Sequence, residues 1–307
     1  MELDLTPWFK YLYPLLGALI LLEFLKAKEN YDLKESLSGF GIAAIASIVA
    51  VFTKAVALGV FFVVFEFFKP LRMEFLGYES FGWAWYVWIL CIVGDDFNFY
   101  WHHRWSHTVR LLWAAHLPHH SARTYNLTVS IRNGWFITIY KPIFWLWMPA
   151  LGFEPVMIAT AMIINAAYQF FLHTQLVRSF GPFEWIFNTP WVHQVHHSSN
   201  VQYMDKNHGG ILIIWDRIFG TFQNQIKGVK AQYGITNDPD TYNPITHNLF
   251  EFQNIWKDVR TAKSFKEGFM YVFGPPGWSA DPAKSKTAKQ LQMQLKLEQE
   301  GLAKKSA

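Results

Sequence analysis

Apolar positions along this chain come in long runs, not in strict alternation. Residues 11–25, 40–68, 81–94, 135–153 and 155–173 are each dominated by Leu, Ile, Val, Phe, Trp and Ala. Runs of this length predict helices that enter or cross a bilayer. The first run follows acidic Glu2 and Asp4 and lacks a small-residue cleavage site, so it reads as a retained helix rather than a signal peptide. The second is long enough to cross with tilt or to break into two pieces, and its one charge, Lys54, is expected to face other helices or to snorkel. The third carries Trp83, Trp85 and Trp88, an interfacial signature, and continues without a breaker into Asp95, Asp96 and a group of histidines. The runs 135–153 and 155–173 are joined by a tight link and predict a membrane hairpin. Beyond residue 222 the chain turns polar and loop-rich.

Composition sharpens this picture. Only 16% of residues are charged against 51% hydrophobic and 18% aromatic. A soluble domain usually carries about a quarter charged residues, so the expected class is an integral membrane protein. The fold expected is all-α: a polytopic helical membrane protein with four to five spans or membrane-embedded helices and a cytoplasmic, histidine-rich, helical di-metal domain. Three regions follow: N-terminal helices over 1–80, a catalytic region over 81–225 containing the hairpin 135–173, and a cytoplasmic C-terminal region over 226–307. The last stretch, 281–307, reads as disordered or as a frayed helix near anionic lipid. Lys26, Lys28 and Lys34 lie on one side with Arg104, Arg110, Arg123 and Arg132, leaving Lys10, Lys69 and Arg72 on the other, which puts the histidines on the cytoplasmic face. A net charge of +4 gives no argument for nucleic acid, and the single cysteine, Cys91, excludes a disulfide scaffold or a multi-cysteine metal site.

Twelve histidines then need an explanation, and nine fall in three groups: His102, His103 and His107; His116, His119 and His120; His193, His196 and His197. Helical residues three and four apart share a face, so His103 and His107 project together, as do His193, His196 and His197. Thr189 and Pro190 predict the start of a helix under the third group. Pro118 discourages helix at Leu117, which puts His116 on a turn before a helix opening near Pro118. Neutral imidazole suits Zn, Cu, Fe and Ni. Eight imidazoles (His103, His107, His116, His119, His120, His193, His196, His197) exceed what one ion accepts, so two ions are expected. His173, at the end of the fifth run, and His208, between Asn207 and Gly209, are further candidates. His102 reads as packing and His247 as surface. Asp96 shares a stripe with Tyr100, His103 and His107 and is a candidate to orient a ligand or line a substrate cavity. Glu184, just ahead of the third group, is a candidate to bind a cofactor or polarise a histidine.

These motifs resemble the fatty acid hydroxylase superfamily, which includes sterol desaturases: Asp96-x3-Tyr100-x2-His103-Arg104-x2-His107, His116-x2-His119-His120 and Asn188-Thr189-Pro190-x2-His193-x2-His196-His197. They are followed by Asp205-Lys206-Asn207-His208-Gly209-Gly210 and by the stretch from Trp215 to Phe222. Within the superfamily the chain most resembles the alkylglycerol monooxygenase branch, through Tyr125-Asn126-Leu127-Thr128, Tyr168-Gln169-Phe170-Phe171-Leu172-His173-Thr174, Gly181-Pro182-Phe183-Glu184 and Gly274-Pro275-Pro276-Gly277-Trp278. The resemblance implies a multi-pass membrane enzyme of the bacterial inner membrane or endoplasmic reticulum. It implies two iron ions, with zinc as a possible substitute, O₂, a lipid substrate drawn from the bilayer, and an external reductase or reduced cofactor such as tetrahydropterin. Asp96, Glu184 and His173 match acidic and histidine positions of that branch, whereas His208 stands where Tyr is common. Two rivals from other classes are a membrane zinc hydrolase, against which no His-Glu-x-x-His occurs, and a non-enzymatic metal or haem carrier; a bis-histidine haem protein would place its ligands deep in facing spans, whereas here they cluster at span ends. Oligomeric state and substrate regiochemistry are not encoded in spacing.

Overall fold

The computed structural model describes residues 6–306, and among them every regular element is helical apart from one antiparallel bridge between Phe187 and Leu212. The α-helices are α1 (Thr6–Lys26), α2 (Leu33–Leu76), α3 (Trp85–Thr108), α4 (Arg110–His120), α5 (Ile137–Tyr140), α6 (Trp147–Leu151), α7 (Pro155–Leu172), α8 (Pro190–His196), α9 (Ile214–Ile218), α10 (Pro244–Thr261), α11 (Phe265–Phe273) and α12 (Ala288–Ser306). Their ends follow local chemistry. Asp32 caps α2 by accepting from the Glu35 amide at 2.9 Å, and Gly77 closes it at φ 75, a left-handed conformation that suits glycine. Extended Val109 is the only residue between α3 and α4, so the two histidine-bearing helices turn back on each other.

The run 40–68 lies within one continuous helix. At 1.5 Å per residue its 44 residues extend about 66 Å, roughly twice a hydrocarbon core. Its middle exposes Ile48, Val51, Phe52, Val56 and Val63, the surface a helix presents to lipid, and Lys54 is exposed there too. Helix α7 is the second described helix long and apolar enough to cross a membrane. The segment 135–153 does not form the expected straight arm of a hairpin. It breaks into α5, a 3₁₀ turn at Lys141–Trp145 and α6. Pro142 and Pro149 remove backbone donors and prevent a continuous ladder. The core under it joins Phe61 of α2, Val87, Cys91 and Phe99 of α3, Trp145, Met148 of α6, and Met157, Ile158 and Ala161 of α7.

The two ends of this bundle differ. At one end Arg132 meets Glu35 at 3.2 Å and Asn126 donates to the Asn30 carbonyl, which gathers residues 26–35 and 104–132 beside the histidines. At the other end buried Arg72 donates to the carbonyls of Phe65, Glu79, Pro149 and Ala150. Arg132 thus lies at the end that carries the histidines and Arg72 at the other.

One expectation for the C-terminal region is corrected. His247 is 1% exposed and donates from Nε2 to the Thr241 carbonyl at 2.8 Å, because the face of α10 carrying it, with Asn248, Glu251 and Ile255, is packed inward. Of the two readings of the tail, the helical one is found: Ala288–Ser306 is α12, and Gln292 donates to the carbonyls of Val201 and Met204.

Candidate metal centre

Helix periodicity sorts the histidines into two neighbouring groups. His103 and His107 of α3, His116 and His120 of α4, and His196 of α8 form one. His119 of α4, His193 of α8, His197 and His173 form the other. In each group the nitrogens that could serve as ligands lie within 4.8 Å of one another. The division follows from geometry: His116 and His120, four apart, share a face of α4, while His119 is one step of about 100° away from His120. On α8 the roles are exchanged, with His193 and His197 four apart and His196 stepping across. Each of these two elements thus feeds both groups.

The expectation that His116 precedes its helix is corrected. Residues 110–120 are one helix with Pro118 inside its last turn. The local bias at Leu117 is overridden by bonds to that turn: Arg132 Nε, from outside the helix, and Ser121 Oγ, just past its end, both donate to the Pro118 carbonyl, at 3.0 and 2.9 Å. Beside them Gly134 approaches so closely that a Cβ there would lie 1.9 Å from the Ala115 carbonyl oxygen.

The nitrogen spacing fits resident cations. His173 Nε2 lies 3.2 Å from His119 Nε2, 3.1 Å from His197 Nε2 and 3.3 Å from His193 Nε2. In the other group His116 Nε2 is 3.1 Å from the Nε2 atoms of both His103 and His120. One ring nitrogen carries at most one proton, so three such neighbours cannot all be satisfied by hydrogen bonds. Nitrogens bound about 2.1 Å from a common ion at tetrahedral to octahedral angles lie about 3.0–3.4 Å apart. Buried Nε2 atoms of His107 and His196 have no hydrogen-bond partner among the described residues. Burial holds His116, His119, His120, His193 and His197 well below the usual imidazole range and pushes His196 down to about 4, so the rings are neutral and competent as ligands. Neither group contains a carboxylate.

Outer contacts fix which ring nitrogen points inward. His103 Nδ1 donates to the His208 carbonyl at 2.8 Å, His173 Nδ1 to the Gln169 carbonyl at 2.8 Å and His196 Nδ1 to the Lys206 carbonyl at 2.9 Å; a carbonyl can only accept, so each Nε2 is left free for a metal. Two of those carbonyls belong to the loop 205–208, where Asp205 and Asn207 both take positive φ, 55 and 58. Asn207 pins the loop by donating to Val192 and Gln223 carbonyls. Asp216 pins it again, accepting from the His208 and Gly209 amides at 2.8 and 2.7 Å and from Thr221 Oγ1. Asp216 was missed as a site residue. Its only sequence signal is its place in the stretch from Trp215 to Phe222. A second missed residue is Glu23, whose signal is a lone carboxylate in the first apolar run. It is buried and accepts from the Leu127 amide at 2.7 Å and from the hydroxyls of Tyr31 and Thr174, next to His173.

The other candidates fall as follows. Asp96 directs its carboxylate to the amides of Ile211 and Leu212, to Trp215 Nε1 and to Asn165 Nδ2, tying α3 to the loop after His208. Glu184 accepts from Ser179 Oγ, the Phe180 amide and Thr189 Oγ1, organising the turn that leads to α8. His208 lies beside the first group, its ring centre 5.1 Å from that of His107, with both ring nitrogens buried and without a hydrogen-bond partner among the described residues. His102 packs among Phe99, Tyr140, Phe144 and Trp145, outside both groups. Trp83 and Trp85 are exposed, while Trp145 is buried and donates to Asp95. A cavity of about 870 Å³ reaches His107, His120, His196 and His197 from the side of α10 and α12, and is walled by Trp113, Asp205, Lys257, Trp278 and Lys289.

Residues 88–221 match the fatty acid hydroxylase family. The chain is 34% identical to human alkylglycerol monooxygenase over 89% of its own length and 59% of the relative's. It is 39% identical to the Xenopus tropicalis alkylglycerol monooxygenase over 63% of this chain and 43% of that one. It is 30% identical to ornithine lipid hydroxylase OlsE of Rhizobium tropici over 48% and 45% of the two chains. The chain therefore spans about three-fifths or less of the length of these relatives, and no solved structure matches it. All ten candidate metal-ligand histidines lie inside the segment 88–221 that matches the fatty acid hydroxylase family.

Proposed function

We propose that this protein is a membrane-bound, O₂-dependent di-iron monooxygenase that hydroxylates a C–H bond of a lipid. The observation that carries the reading is the pair of adjoining, nitrogen-only cages, five histidines and four. The relatives named for alkylglycerol and ornithine-lipid oxidation support a lipid substrate. An alkyl ether lipid is the first choice, ahead of a fatty acyl chain or sterol.

His103, His107, His116, His120 and His196 would hold one iron, and His119, His173, His193 and His197 the other, with His208 in reserve beside the first. Iron held there would supply O₂ activation and hydrogen abstraction from an unactivated carbon. The chain's own work is placement. The loop 205–208 orients His103 and His196. Asp96 and Glu184 act as positioning residues through α3 and α8. Phe99, whose ring centre is 5.1 Å from that of His103, brings the apolar core up to the cage, so a lipid tail is expected from that side. The cavity reaching His107 and His120 would admit the external reductant, a reduced pterin or a reductase's donor group, from the cytoplasmic side. One oxygen atom enters the C–H bond, and the other leaves as water with two electrons and two protons from the reductant. On an ether-bearing carbon the product is a hemiacetal, which collapses to an aldehyde and an alcohol.

The zinc hydrolase reading lacks a carboxylate general base in either group. Anaerobic loss of activity separates the two chemistries. Purified protein should contain about two irons per chain and consume O₂ with lipid and reductant. Lipid oxidation undiminished in His119→Ala or His196→Ala would end the proposal.

A further inference from the structure

The C-terminal region carries an exposed aromatic surface that soluble character does not explain. Phe265, Phe269 and Phe273 are four apart on α11, one stripe, and are 90%, 50% and 47% exposed. Trp256 of the preceding helix is 64% exposed and, with Leu249 and Phe252, lines a shallow apolar groove on α10. Around them stand Lys257, Arg260, Lys263 and Lys266, all exposed and in no ion pair among the described residues. The nearby acids are otherwise engaged: Asp258 binds Arg110, and Glu267 accepts from the Lys263 amide.

We propose that the α10–α11 hairpin lies in the membrane interface, with Trp256 and the Phe265–Phe269–Phe273 stripe dipped among lipid headgroups and the surrounding basic residues on anionic phosphates. Aromatic residues with a basic surround are the composition of an interfacial helix. Continuity with the lipid-facing surface selects lipid over another occupant. Phe252 packs edge-on against Phe136 at 4.8 Å, next to exposed Ile139 and Ile143. Pro244, at the start of α10, touches α2 at Gly41, and Trp135 Nε1 donates to the Ile42 carbonyl just where the exposed apolar middle of α2 begins. The hairpin is also tied to the metal helix: Arg110, opening α4, donates its amide to the Gly274 carbonyl and its guanidinium to Glu251, Asp258 and the Tyr271 carbonyl. The seat on the bilayer would thus set the depth of the histidine cages.

The test uses the full chain in vesicles of mixed zwitterionic and anionic phospholipid. Buried Cys91 should leave a cysteine at position 265 or 269 as the reactive thiol, with the unsubstituted chain as the labelling control. Environment-sensitive probes on Phe265→Cys and Phe269→Cys should show blue-shifted emission. A headgroup-proximal lipid nitroxide should quench them several-fold more than a probe on Lys296→Cys, and aqueous iodide should quench them less. Iodide quenching equal to that at position 296 would overturn the proposal. So would energy transfer between labelled chains without nitroxide quenching, which would mean a second copy covers the stripe. Since Phe265 is almost fully exposed, its replacement leaves the packed core intact.

Discussion

His173 and His197 hold their Nε2 atoms 3.1 Å apart, although one residue follows α7, a helix long and apolar enough to cross a membrane, and the other follows α8. The contact makes His173 part of the smaller cage. Removing it from a four-nitrogen set leaves three, with one coordination position open to water. His173→Ala should lose one of two bound metals and reduce lipid oxidation by more than the roughly 10–100-fold expected for an outer contact. His102→Ala, outside both cages, should retain both metals. Metal analysis of purified variants distinguishes them, and equal metal content in the two would contradict the assignment.

The loop 205–208 makes a separate prediction. Its carbonyls set the ring orientation of His103 and His196, and Asp216 holds it through two backbone amides. Asp216→Ala leaves those amides buried without acceptors, at a cost of about 1–3 kcal/mol. It should weaken metal retention about 10–100-fold without removing any ligand. Dialysis against graded chelator measures this. Unchanged retention in a folded variant would show that the loop does not hold the rings.

Much of the cage was legible because helical spacing is local. His103 with His107, and His193 with His197, follow from residue numbers alone, and Thr189–Pro190 opens α8 as the capping rules require. What failed depended on distant partners. Pro118 sits inside a helix whose last turn is held by Arg132, which donates to the Pro118 carbonyl from fourteen residues on, a contact no local rule contains. The assignment of His119 and His196 to opposite cages required knowing how α4 faces α8. His247 looked like a surface residue because its neighbours are polar, yet those neighbours form the packed side of α10. Asp96 and Glu184 stood out as acids near histidines. Their partners are backbone amides, hydroxyls, an amide side chain and an indole, and it is Asp216, carrying no special spacing, that sets the loop.

Close backbone approach behind α4 gives a third test. A methyl group at Gly134 would meet the Ala115 carbonyl oxygen at 1.9 Å, far inside contact distance, and backbone cannot move aside as a long side chain can. Gly134→Ala should therefore displace the turn carrying His116, His119 and His120. Both metal content and thermal stability should fall, by several kcal/mol for the latter, as for other overpacked sites. Gly59→Ala, in lipid-facing α2 with nothing within 4 Å of the added methyl, should be neutral or slightly stabilising. A neutral Gly134→Ala would mean that α4 and residue 134 are not packed as described.

The buried His247 predicts how stability responds to acid, independently of metal. Burial pushes its imidazole down to about 4, and its Nε2–H is held by the Thr241 carbonyl. In the unfolded chain the ring titrates near 6.5. Between these values the unfolded state binds a proton that the folded state refuses, so stability falls as pH drops through that interval. Above 6.5 the ring is neutral in both states and contributes no slope. At pH 5 the loss from this residue should be roughly 1–2 kcal/mol. His247→Gln, which keeps a donor for Thr241 but does not titrate, should shift less between pH 7 and pH 5 than the parent. Melting temperatures of metal-loaded protein at the two values give the comparison. Parallel shifts in parent and variant would show that His247 is protonated as easily in the folded protein as in the unfolded chain.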